Sequence, residues 1–399
     1  SYGSALFSRI RHHGHYVRVA KRFGAKRLTR HYKPAFYFRQ NFLVGQVFSS
    51  FVKIQIYYII FPIHKKYNIK TKKALFWLRY GNIIYENAFW SDYDTMKYDT
   101  SIYRGVFCAL NAIYDENDNI NTDAIKALVT KYKQLGVNGI YACGSTGEGF
   151  LLSTEERMQV AEAVKEAAGD DMAVIVHVGA ASTKEACILA RHAEKIGVSA
   201  VSAVPSVYYR LSEASIEKHW DTIMDSTELP FFIYNIPQLT GYDLSFELFE
   251  KMAKKEKVIG IKNSSESTCQ TERFRKIAGP DFVIFNGPDE QLLAGRLMGA
   301  TAGIGGTYGT MPELYLELTR LIENGDIENA RKMQTKINDC IYELLSFGSL
   351  YGACKAVMTL RYGIDCGIPR LPMLPVSKDD PKIKALAEKI DRLVAEIKK

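Results

Sequence analysis

A lysine closes the apolar run Val258-Ile259-Gly260-Ile261-Lys262. If this run is a strand whose last side chain turns into a closed interior, water is excluded and the ammonium form is disfavoured. A neutral amine attacks ketones and forms imines. The ordinary alternative is a lysine that reaches solvent past the end of a strand. Tyr234 closes another such run, just before Asn235-Ile236-Pro237. A phenol there can shuttle protons, or it can be a rim aromatic with a solvated hydroxyl. Gly144-Ser145-Thr146-Gly147-Glu148 combines small residues, which let backbone N–H groups approach a ligand, with two hydroxyls. Such a run suits a carboxylate or phosphate, or it is simply a tight turn before a helix. Asn286-Gly287-Pro288-Asp289-Glu290 offers paired acids for a polyol, a metal or acid–base work, or else charge at a helix start. Gly303-Ile304-Gly305-Gly306-Thr307 is another permissive loop. No HxH or HExxH accompanies these residues, and only His177, His192 and His219 follow residue 96, so a histidine-ligated metal is not expected.

These residues need elements that bring them to one place. From residue 102, short apolar runs alternate with helical patterns about every 25–35 residues. Eight strands are expected: Gly105–Leu110, Gly139–Ala142, Ala173–His177, Ala200–Val204, Phe231–Tyr234, Val258–Lys262, Phe282–Phe285 and Ala302–Ile304. Between the first two, Ile125, Leu128, Val129, Tyr132 and Leu135 form one apolar helical stripe. Ser153-x-x-Glu156 and Ser182-x-x-Glu185 read as capping boxes. Eight βα units predict an α/β fold, a closed (β/α)8 TIM barrel, over residues 96–325. The alternative, a doubly wound open sheet, lacks its glycine-rich fingerprint after Leu110. Residues 326–399 read as a helical C-terminal extension. In such a barrel, chemistry gathers where strands end, and Ser145, Tyr234 and Lys262 each follow or close a different strand.

Residues 1–95 differ from the rest. They hold 17 Lys+Arg against three acids, whereas residues 96–399 hold 35 basic and 41 acidic residues. The net charge of +8 therefore comes from a basic segment ahead of a mildly acidic domain. A transit peptide, a membrane anchor over Phe42 to Ile63 and a nucleic-acid-binding tail each fit part of it. Polar interruptions such as Gln46 and Lys53 weaken the anchor. The first methionine is Met96, where composition changes abruptly. The favoured expectation is that Met96 is the natural start, and that residues 1–95 are unstructured and foreign to the enzyme. No nucleic-acid or membrane partner is then expected. Seven cysteines without CxxC or CxH spacing suggest a reducing compartment, hence a cytoplasmic location.

Taken in order, Gly144-Ser145-Thr146-Gly147-Glu148, Tyr234-Asn235-Ile236-Pro237, Gly260-Ile261-Lys262 and Gly303-Ile304-Gly305 resemble one family. Residues from about 100 to 395 are similar to the N-acetylneuraminate lyase and dihydrodipicolinate synthase superfamily of Schiff-base pyruvate aldolases. The resemblance implies that Lys262 forms the imine and Tyr234 relays the proton. It implies that Ser145 and Thr146 hold the substrate carboxylate, and that no cofactor is needed because the protonated imine is the electron sink. Tyr208 or Tyr209 falls where the family has a tyrosine near a subunit interface, and a homotetramer is implied. Three features favour the sialic acid lyase branch: His177-Val178-Gly179; Leu239 where synthases carry an arginine; and Gly287, Asp289 and Glu290 where lyases bind the sugar polyol. Ser264 stands where threonine is common, and Gly306 where lyases often have serine. Both are expected to line the substrate site. The expected reaction is cleavage of N-acetylneuraminate to N-acetylmannosamine and pyruvate. The competing readings are a synthase condensing pyruvate with aspartate semialdehyde, and a non-catalytic sugar-acid-binding barrel.

Overall fold

The structure, a computed structural model, describes residues 97–398. The expectation that residues 1–95 are unstructured and foreign lies outside the described residues, as does Met96.

Eight strands pair in parallel in chain order: β1 (Gly105–Ala109), β2 (Gly139–Ala142), β3 (Ala173–His177), β4 (Ala200–Ala203), β5 (Phe231–Asn235), β6 (Val258–Asn263), β7 (Val283–Asn286) and β8 (Ala302–Gly305). β8 returns to β1 and closes the barrel. The expected strands are all present, with no end displaced by more than one residue. Between and after them run α1 (Thr122–Leu135), α2 (Thr154–Ala168), α3 (Thr183–Lys195), α4 (Glu213–Met224), the single turn α5 (Pro237–Thr240), α6 (Phe246–Ala253), α7 (Thr268–Ala278), α8 (Leu292–Leu297) and α9 (Pro312–Glu323). Three further helices form the expected extension: α10 (Ile327–Leu345), α11 (Leu350–Tyr362) and α12 (Pro381–Ile397).

The period of two along each strand sorts the core into two layers. Phe107, Tyr141, Ile175, Phe232, Phe285 and Ile304 fill the barrel, while Val106, Cys108, Ile140 and Val174 pack outward under the helices. Phe285 meets Phe107 edge-on and Phe232 at a tilt, at centroid distances of 5.0 and 5.4 Å. Tyr103, just before β1, packs on Phe232 and donates to the Ser199 carbonyl at 2.7 Å, closing the end opposite the βα loops. The centre is therefore solid, and only the strand C-terminal ends are left for ligands.

β6 carries one irregularity. Phe231 pairs with Val258 and Phe232 with Gly260, so Ile259 is an extra residue, a β-bulge. Ile259 packs in the barrel interior and Ile261 in the outer layer. The bulge resets the alternation so that Lys262 lies level with Tyr234 on β5.

Helix starts follow local side-chain chemistry. Ser153 and Glu156 make the full reciprocal capping box of α2. At α3 only half of the expected box forms. Ser182 accepts from the Glu185 N–H, but the Glu185 carboxylate is drawn instead to the Thr154 hydroxyl at 3.1 Å on neighbouring α2. The single cap still contributes about 1 kcal/mol. In the extension, Arg361 of α11 pairs with Glu313 of α9 and Asp391 of α12. Among the described residues no helix is long and apolar enough to cross a membrane.

Candidate active site

Lys262 is buried at the end of β6. Its Nζ lies 4.0 Å from the ring centroid of Tyr234 and 4.2 Å from that of Tyr141. Both rings present electron-rich faces to a cation at this position. The Tyr234 hydroxyl is 3.4 Å from Ser145 Oγ, in the loop after β2. The Tyr141 hydroxyl donates to Ser202 Oγ of β4 at 3.1 Å. Strands two, four, five and six thus converge on one amine. Tyr141 escaped the sequence reading, although its inward position two residues after Gly139 was a usable signal.

Behind these groups, Asn235 Nδ2 donates to Asn263 Oδ1 at 2.9 Å and Asn263 Nδ2 to Thr271 Oγ1 at 3.3 Å. These bonds fix the residues next to Tyr234 and Lys262 and lock β5 to β6.

His177 ends β3 beside this cluster, its ring edge-on to Tyr234 at 5.7 Å. The Val204 N–H donates to its Nε2 at 3.3 Å, so the ring proton sits on Nδ1 and is donated to the Cys143 carbonyl at 3.1 Å. Burial first, then the Arg157 guanidinium, hold its pKa well below the ordinary histidine value, and the Lys262 charge adds to this. His177 is a neutral brace. The sequence reading used it only to tell branches apart.

All but one of the remaining expected residues fall into three pairs. Thr146 is buried and lies against Gly306, where an added Cβ would stand 2.9 Å from Thr146 Oγ1. Tyr351 of α11 also brings its hydroxyl to the Thr146 side chain, a contact the sequence did not suggest. Ser264 and Gly287 pack together, since a Cβ at Gly287 would fall 2.8 Å from the Asn263 carbonyl and closer still to Ser264 Oγ.

Asp289 is buried, and its Oδ2 accepts from the Thr307 N–H at 2.7 Å and the Thr307 hydroxyl at 2.5 Å. Oδ2 is therefore committed to the β8 loop, while Oδ1 lies against Gly305 of β8, where an added Cβ would stand 2.3 Å from it. Burial pushes its pKa up to about 6 against the two Thr307 bonds, with the neighbouring Glu290 charge adding to the rise. Glu290 is half-buried beside it.

Tyr209 is not brought to the cluster. It is 70% exposed, its ring packed only edge-on to Tyr208, which is 91% exposed. Leu239, in α5, is 62% exposed.

A TIM barrel with a buried lysine between two tyrosines defines the class, and residues 102–390 match the dihydrodipicolinate synthetase family. The chain belongs to that family. An N-acetylneuraminate lyase of Mediterraneibacter gnavus is 41% identical over 283 residues, spanning 70% of this chain and 90% of the relative. An N-acetylneuraminate lyase of Rhizobium meliloti is 37% identical over 292 residues, 73% of this chain and 95% of its own. Among solved structures, wild-type sialic acid aldolase of Ruminococcus gnavus superposes with a TM-score of 0.72 at 40% identity, over 74% of this chain and 99% of that one. The Clostridium difficile protein CdNal, solved in complex with mannosamine, gives 0.68 at 32% identity, over 73% and 99%. These findings agree with the resemblance read from the four motifs.

Proposed function

We propose that this chain is a carbon–carbon lyase that cleaves N-acetylneuraminate reversibly to N-acetylmannosamine and pyruvate through a Schiff base on Lys262. The observation that carries this reading is the placement of the Lys262 amine, buried between the faces of Tyr234 and Tyr141 and level with Tyr234 across the β5–β6 ladder.

The Lys262 amine adds to the C2 ketone of the open-chain sugar acid, and loss of water with uptake of one proton leaves a protonated imine. The two aromatic faces that flank Nζ favour that cation. Ser145 and Thr146, with the backbone of their loop, hold the substrate carboxylate. Tyr234 takes the proton of the C4 hydroxyl, helped by the carboxylate. As the C3–C4 bond breaks, its electron pair flows into the imine and gives an enamine, and the former C4 carbon leaves as the aldehyde. Protonation at C3 and hydrolysis then release pyruvate and restore the amine. Asp289, Glu290, Ser264 and the backbone at Gly287 and Gly306 are the proposed contacts to the polyol.

Residues 96–325 serve as the catalytic barrel and 326–399 as its extension. Tyr209, solvent-facing in a single chain, serves from the surface of a partner copy in a homotetramer. The location is cytoplasmic, consistent with seven free cysteines.

Turnover of N-acetylneuraminate compared with condensation of pyruvate and aspartate semialdehyde tests the choice of substrate. Exposed, apolar Leu239 offers no charge to a second carboxylate. N-acetylneuraminate is expected to be favoured in kcat/KM by at least about 100-fold, the discrimination expected when a polar site loses its partners. Preference for the semialdehyde would contradict this choice.

A further inference from the structure

Glu148 ends the run that carries Ser145 and Thr146, yet its carboxylate takes no part in the proposed chemistry. It is buried with 0% of its side chain exposed, as is Lys355 of α11, and the two form an ion pair at 2.7 Å. Both carboxylate oxygens are used. Lys355 Nζ donates to Oε1, while the Arg370 N–H at 2.7 Å and the Tyr114 hydroxyl at 3.2 Å donate to Oε2. Lys355 also donates to the Ile368 carbonyl at 2.9 Å and lies 4.7 Å from the Tyr114 ring centroid. Three of these partners come from the C-terminal extension.

The loop they hold has an uncommon backbone. Cys143 and Glu148, neither of them glycine, adopt left-handed φ values of 58° and 54° and bracket Gly144–Gly147. Side chains at such φ persist only where the surroundings fix them. At the first end, His177 grips the Cys143 carbonyl. Within the turn, the Glu148 N–H bonds the Ser145 carbonyl at 3.0 Å and the Gly149 N–H bonds the Gly144 carbonyl at 3.1 Å. At the other end, the grip is Lys355 on Glu148.

A fully buried ion pair is a poor source of stability, because desolvation of both charges offsets their attraction, and an apolar pair of similar volume often folds as well. What the pair supplies is direction. We propose that Lys355 is a positioning residue for the reaction: its ion pair with Glu148 sets the loop so that Ser145 and Thr146 meet the substrate carboxylate. Tyr351, one turn earlier on α11, reaches Thr146 of the same loop. The extension is thus part of how the barrel binds its substrate. This inference rests on the lyase reading given above.

The test uses the full chain with three variants: Lys355→Arg, Glu148→Asp, and the double variant Glu148→Gln with Lys355→Met, which removes both charges and keeps volume. Thermal midpoints, KM and kcat for N-acetylneuraminate, and the pyruvate concentration that half-saturates borohydride trapping are measured together. The double variant is expected to keep its midpoint within about 5 °C while KM and the pyruvate half-saturation rise about 10-fold or more and kcat falls less than about threefold, the pattern of lost ground-state binding. Lys355→Arg is expected to recover most of the loss. Glu148→Asp keeps the charges but shortens the reach, and is expected to raise KM about three- to tenfold. It carries the test if the double variant does not fold. An unshifted KM and pyruvate half-saturation in the folded variants overturns the inference. Wild-type turnover and trapping, measured alongside, separate the two claims. Their absence overturns the lyase reading and this inference with it, whereas their presence with an unshifted KM overturns this inference alone.

Discussion

Asp289 faces two demands at once. In the proposed reaction it accepts hydrogen bonds from the sugar, which requires the carboxylate, yet it is buried and its pKa is pushed up to about 6. The expected pH dependence follows: kcat/KM for N-acetylneuraminate falls as pH drops through about 6, because the free enzyme there loses its charged acceptor. Asp289→Asn should lower the plateau by about 10-fold and remove that limb from the pH profile. Stability runs the opposite way. A carboxyl raised above its unfolded value of 3.8 contributes stability that is fully present below that value and lost as pH rises through about 6. The corresponding energy is roughly 3 kcal/mol at most, so Asp289→Asn should gain thermal stability relative to wild type above pH about 6. A limb that persists in the variant would assign it to another group. The sequence suggested Asp289 as a sugar acceptor, the role proposed above, but not its bond to Thr307, which lies 18 residues away in the next loop. Tyr141 and His177 were hidden for a similar reason. Their partners, Ser202 on β4 and Val204 just after it, lie in a different part of the chain, and only closure of the barrel brings them together.

At the level of elements, β6 shows what the motif Gly260-Ile261-Lys262 requires. A Cβ at Gly260 would meet the Phe232 ring and come 2.5 Å from the Val283 carbonyl, so β5 and β7 approach too closely for any side chain. Gly260→Ala is expected to cost about 1–3 kcal/mol, the range for overpacking a filled core. It should also displace Lys262, lowering kcat by about 10-fold or more even in protein that remains folded, as misplacement of a reacting group does. Thermal melts with single-turnover assays check both; a variant with wild-type kcat would show that β6 tolerates the shift. The positions of β1–β8 were readable because each is a short apolar run between helical stripes. The Ile259 bulge was not, because an extra residue in an all-apolar strand leaves no break in the pattern. The half-formed capping box of α3 was also unreadable, since a competing partner on α2 decides where Glu185 points.

For the whole molecule, the closed barrel followed from counting eight alternating units, and the extension from the helical sequence left over. What the extension does was not legible. Lys355 reads as one more helical lysine until the fold lays it on Glu148, 207 residues earlier in the chain. Membership of the dihydrodipicolinate synthetase family and 37–41% identity to lyases place the scaffold, and the proposed chemistry is assigned to the buried amine between two tyrosines. The central claim is that this amine forms the imine. Borohydride reduction of the full chain with saturating pyruvate, followed by peptide mass mapping, tests it most directly. The account predicts one reduced pyruvate adduct, on the peptide that contains Lys262, and none in the Lys262→Met variant. An unmodified Lys262 peptide under saturating pyruvate would contradict it.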